Sequence, residues 1–150
     1  MSSQILVLFE SSEGYQPVVE CLSLAGYSVV VARSYSAAMA IVRSKSVDLI
    51  ISDVHLENGG SVFDFLSWIR HNRSTENTPF VLFSLEPTPM AKVVEHGVKI
   101  AARALKASKF ISMEIFDEEV FRQQIDSLLS LDNRLKTMQT LKQRDSNHDS

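Results

Sequence analysis

The chain has one cysteine, Cys21, among 150 residues, so an internal disulfide is excluded. Glycine (five) and proline (four) are too scarce for a collagen-like or low-complexity chain, and no Pro- or Gly-rich linker divides it. Cationic excess is also missing. Lys plus Arg number 15 against 18 for Asp plus Glu, a net charge of −3, which argues against holding a nucleic-acid backbone. No apolar stretch approaches the roughly 20 residues needed to span a bilayer. The start Met1-Ser2-Ser3-Gln4 has no basic segment before its short apolar run, so no secretory signal is expected. The expectation is a soluble, cytoplasmic protein that binds neither membrane nor nucleic acid.

What is present is the composition of a folded chain, 45% hydrophobic and 22% charged. The run Ile5-Leu6-Val7-Leu8-Phe9 is continuously apolar, as in a strand buried on both faces. Val29–Ala32, Leu49–Ile51 and Phe80–Phe83 repeat that character, and Phe110-Ile111 is a weaker fifth. Helical spacing falls between them. Helices are expected over Pro17–Ala25, closed by Gly26; Ser34–Ser44, capped by Ser34; Ser61–His71; and Pro89–Ala107, where Gly97 makes a break plausible. Asp117 should cap a last helix carrying Phe121, Ile125, Leu128 and Leu129 on one face. Strands separated by helices predict right-handed crossovers and an α/β fold, a doubly wound five-stranded parallel sheet.

One domain is expected over residues 1–129. From Ser130 the composition turns polar, so 130–150 reads as a helical extension with a disordered polar tail, the last nine residues having no apolar member. Leu128, Leu131, Leu135 and Met138 are spaced 3, 4 and 3 apart. That stripe is either a partner-binding or homodimerising face or a frayed amphipathic end, and the spacing alone does not choose.

In doubly wound sheets function collects at the carboxyl ends of the strands, which here directs attention to Glu10, Asp53, Ser84 and 112–114. Asp53 follows a strand that should be central. A carboxylate there carries a desolvation cost unless a cation, a donor or a proton offsets it, which makes it a candidate site residue. A turn-forming or capping aspartate is the alternative.

The order of elements, the segment Val47-Asp48-Leu49-Ile50-Ile51-Ser52-Asp53, the helix ending Phe65-Leu66-Ser67-Trp68-Ile69-Arg70, and Pro79-Phe80-Val81-Leu82-Phe83-Ser84 together resemble a response-regulator receiver domain. The resemblance covers about residues 4–129 and implies the CheY-like, flavodoxin-like receiver fold and a non-enzymatic role in two-component phosphorelay signalling. It implies Asp53 as phosphoacceptor and Ser84 as the switch hydroxyl, with a hydroxyl bonded to backbone as the plainer reading of Ser84. It implies Mg²⁺ held by Glu10, Asp53 and the backbone carbonyl of His55, with water completing an octahedron. Partners implied are a histidine kinase or phosphotransfer protein and a downstream protein on the face of the fourth helix, fifth strand and fifth helix.

The chain departs from the family's pattern at several places. The acid pair after the first strand falls on Phe9 and Glu10, so one acid is an aromatic; Glu13 could substitute, though no spacing places it. The Lys-Pro after the fifth strand is absent, with Met113 or Glu114 in its place, and Lys106 and Lys109 precede the strand. Losing a charge-assisted hydrogen bond to a phosphoryl group forfeits roughly 1.5 to 3 kcal/mol. Leu85 is bulky where the family has a small residue. The interval from Ser84 to Met113, 113 − 84 = 29, is long, so the fourth helix or its loop should be extended; the first helix should be short. Phe110 occupies the family's switching-aromatic position and is expected to be buried.

Two readings therefore stand. One is a stand-alone receiver phosphorylated on Asp53; the other is a phosphorylation-independent pseudo-receiver used for docking or dimerisation. A DNA-binding output domain has no room in the chain. A cofactor-binding enzyme is disfavoured, because Glu10-Ser11-Ser12-Glu13-Gly14-Tyr15 forms neither a GxGxxG turn nor a Walker loop. His55, His71, His96 and His148 show no paired ligand spacing, Cys21 reads as core, and Phe65 and Trp68 read as packing residues.

Overall fold

The computed structural model describes residues 2–10, 12–54 and 61–148. Ten elements alternate along them: β1 (Gln4–Leu8), α1 (Ser12–Leu24), β2 (Ser28–Ala32), α2 (Tyr35–Ser44), β3 (Leu49–Asp53), α3 (Val62–His71), β4 (Phe80–Leu85), α4 (Pro89–Ala104), β5 (Lys109–Met113) and α5 (Glu118–His148). The strands pair in parallel in the order β2-β1-β3-β4-β5. This is the doubly wound sheet expected from the alternating apolar runs. Chain order reverses beside β1, so the crevice lies at the carboxyl ends of β1 and β3.

The pleat sorts each strand into two rows. Ile5, Val7, Leu49, Ile51, Val81 and Phe83 are buried with Val18, Leu22, Phe121 and Ile125, the layer of α1 and α5. Leu6, Leu8, Ile50, Phe80 and Leu82 are buried with Ala38, Phe65, Leu66, Ile69 and Ala102, the layer of α2, α3 and α4. Arg70 ties the second layer together: its guanidinium donates to the carbonyls of Thr78 at 2.7 Å and Lys106 at 3.0 Å, joining α3 to the approaches of β4 and β5.

Capping follows the sequence. Ser34 accepts from the Ala37 N–H at 3.1 Å, Ser61 from Phe63 at 3.1 Å, and Asp117 from Val120 at 3.1 Å. Three boundaries differ from expectation. The first helix is not short: it begins at Ser12 and carries Pro17 inside it. Pro17 forgoes one helical donor, but Tyr15, Val18, Cys21 and Leu22 form a buried face that holds the opening turn against the core. The fourth helix passes through Gly97 unbroken and stops at Ala104; Lys106, with φ +67°, turns the chain into β5. The last helix runs continuously to His148, so the polar run expected to be disordered is helical that far. Good helix formers and an Asp132–Lys136 ion pair at 3.0 Å sustain it. Leu131, Leu135 and Met138 are exposed along it.

Candidate functional site

Three strand ends build the crevice. After β1, Phe9 is 3% exposed and bonded through its N–H to the Ala32 carbonyl at 3.0 Å, and Glu10 follows half-buried. Asp53 closes β3, half-buried, in register with Phe83 of β4. Its place in the row of Leu49 and Ile51 directs it toward α1. Ser84, buried at 3% exposure, stands at the end of β4 in register with Ser112. Glu10, Asp53 and Ser84 are each engaged with neighbours.

Two tyrosines that sequence reasoning did not single out as site residues flank these carboxylates. Tyr15 is 6% exposed; its ring stacks on Phe9 at 4.4 Å between centroids and meets Phe83 edge-on at 6.0 Å. Its hydroxyl makes no well-formed hydrogen bond. It nevertheless lies within reach of Asp53: burial pushes the phenol up strongly, then the Asp53 charge and a weak hydrogen bond to that carboxylate push it further. Tyr35, 8% exposed, packs its ring 5.4 Å from Phe65, and its hydroxyl is also without a partner. Burial raises this phenol first, followed by Glu10, Asp53 and Asp64. Among the described residues the charges that act on these two phenols are carboxylates, in a crevice walled by aromatics. The available sequence signal was the spacing Tyr15-Val18-Leu22, one helical face, which the expected start at Pro17 left unread.

The fifth-strand end supplies no positive group. Met113 is half-buried in register with Leu85, and its carbonyl accepts from Glu86 N–H at 2.7 Å. Glu114 points outward and pairs with Lys92 of α4, both exposed. Lys109 is exposed at the opposite end of β5, and Phe110 is half-buried rather than buried, with the Lys99 ammonium 5.6 Å from its ring centre. Leu85 is half-buried against the α1/α5 layer.

For Mg²⁺ the described residues give two carboxylates, Glu10 and Asp53, while Phe9 brings no oxygen. His55, whose carbonyl was the expected third ligand, lies outside the described residues. Among the described residues no group of three or more His, Cys, Asp or Glu could hold a metal. These residues do not by themselves fit the ion. Among the same residues no helix is long and apolar enough to cross a membrane.

No protein-family model and no curated protein matches the chain. Solved structures do. Chemotaxis response regulator CheY4 of Vibrio cholerae superposes with a TM-score of 0.70 at 24% identity, over 85% of this chain and 98% of that one. The signal receiver domain of an HD domain-containing protein from Pseudomonas fluorescens gives 0.73 at 20% identity, over 91% and 93%. NtrX from Brucella abortus gives 0.80 at 19% identity, over 94% of this chain but 30% of that one. With under a quarter of positions identical in each, these likenesses establish the fold: the chain has the architecture of CheY-like response-regulator receiver domains.

Proposed function

We propose that this chain is a receiver module of two-component signalling whose output is protein–protein contact, with Asp53 as the phosphoryl acceptor and Ser84 as the hydroxyl that responds to it. The observation that carries this reading is the half-buried Asp53 carboxylate at the end of the central strand β3, beside β4, whose penultimate residue is the buried Ser84. A carboxylate is a competent nucleophile toward phosphorus, and burying most of its neighbours keeps water from competing. A histidine kinase or phosphotransfer protein is the matching donor. The matching output surface is the α4-β5-α5 face, where Met90, Val93, Ile100 and Val120 are exposed.

A second reading, a docking module that is never phosphorylated, is favoured by Met113 where the fold's neighbours would be expected to place a cation and by Phe9 in place of an acid. One experiment separates the two. Intact mass is followed after incubation with acetyl phosphate and Mg²⁺, wild type beside Asp53→Ala. A single acid-stable, base-labile phosphoryl adduct lost in the variant is expected; no adduct in wild type would transfer the weight to constitutive docking.

A further inference from the structure

Tyr15 has a buried hydroxyl whose contact with Asp53 falls short of a well-formed hydrogen bond. Its ring is locked between Phe9 and Phe83, 94% out of solvent by its 6% exposure, and the hydroxyl has no well-formed partner among the described residues. A buried donor so poorly satisfied is destabilising and gains from a better-placed acceptor. Asp53 ends β3 in register with Phe83, the ring that Tyr15 meets edge-on at 6.0 Å, and its carboxylate acts on the Tyr15 phenol. Across the crevice Met113 offers no donor, and Lys92 is held by Glu114.

We propose that the Tyr15 hydroxyl is the hydrogen-bond donor for a phosphoryl group carried on Asp53, supplying from α1 the contact that β5 lacks. This rests on Asp53 being the acceptor. When an Asp53 oxygen attacks the phosphorus of acetyl phosphate, the new O–P bond forms as the bond to acetate breaks, and acetate leaves with the electron pair. The three terminal oxygens then stand in an acidic crevice, and the preplaced phenol donates to one of them without reorganisation. Tyr35 packs on the opposite face of the sheet, against Phe65 in the layer of α2, α3 and α4, so its hydroxyl is not assigned this part.

Beryllofluoride, which mimics a phosphoryl group on a carboxylate, reads the contact as an equilibrium. Its affinity is measured from amide spectra in Mg²⁺ for wild type, Tyr15→Phe and Tyr27→Phe, the last outside the crevice and bonded to Asp126. Tyr15→Phe keeps the ring stack and is expected to bind roughly tenfold more weakly, the loss of one hydrogen bond to a charged group, with its thermal midpoint unchanged or raised. Tyr27→Phe should bind as wild type does. Equal affinity in wild type and Tyr15→Phe would overturn the assignment, as would equal weakening in both variants. Absence of binding in wild type would overturn the acceptor reading together with it, an outcome distinct from the other two. A measurement on the unmutated sequence guards against a folding defect: with only three tyrosines, 3-fluorotyrosine labelling gives three resonances. That of Tyr15 should move on adding beryllofluoride while that of Tyr27, bonded to Asp126, stays. A stationary Tyr15 resonance sinks the proposal.

Discussion

At the scale of single residues, the departure with the widest effect is Phe9. In place of an oxygen ligand it brings a ring that stacks on Tyr15, and through Tyr15 and Phe83 it roofs the approach to Asp53 from the α1 side. Where the resemblance implies a metal-binding acid, the crevice has packing. Phe9→Ala should therefore cost about 3 to 5 kcal/mol in urea denaturation, as for other buried phenylalanines. Phe9→Asp should cost more, because it sets a third carboxylate beside Glu10 and Asp53 with no cation among the described residues to meet it. A Phe9→Asp variant as stable as wild type would show that the position is solvated and that the aromatic roof is not holding it.

Among the elements, the strands were legible because burial on both faces leaves continuous β-branched and aromatic runs, and caps were legible because Ser34, Ser61 and Asp117 act within three residues of themselves. The place of Asp53 at the end of a central strand was legible for the same local reason. The Phe9–Tyr15 stack was not, since it depends on α1 starting five residues before Pro17, and tertiary packing overrode the proline there. The missing positive charge after β5 could be read directly, since the position falls on Met113 or Glu114. In α4 the expected break at Gly97 fails because a helix bonded on either side carries one glycine at the modest cost of its lost conformational freedom. A Cβ at Gly97 would meet nothing within 4 Å. Gly97→Ala is thus expected to stabilise the chain by about 0.5 to 1 kcal/mol, seen as a raised thermal midpoint; a lowered midpoint would show that α4 needs the glycine's freedom after all.

Taken over the whole molecule, the tyrosines report on the fold at once from three places: Tyr15 under α1, Tyr35 at the start of α2, and Tyr27 joined to Asp126 of α5. All three phenols are raised, each by burial first. The sign of the linkage follows. Below about pH 10 every phenol is protonated in both states and the stability is fully present. Above it, the unfolded chain releases protons that the folded chain retains, so stability falls as pH rises. The deeply buried Tyr15 and Tyr35 should each contribute a slope of up to about 1.4 kcal/mol per pH unit, and Tyr27, which water screens, a smaller one. Cys21, raised by burial and by Glu118, adds in the same direction. Urea denaturation between about pH 8 and 11 should show a plateau giving way to a steep decline, shallower in Tyr15→Phe by nearly one proton's slope. A stability that stays flat to the alkaline end would mean that these phenols ionise in the folded chain as they do in the unfolded one, and that neither the Phe9 stack nor the Asp126 bond keeps them in their protonated form.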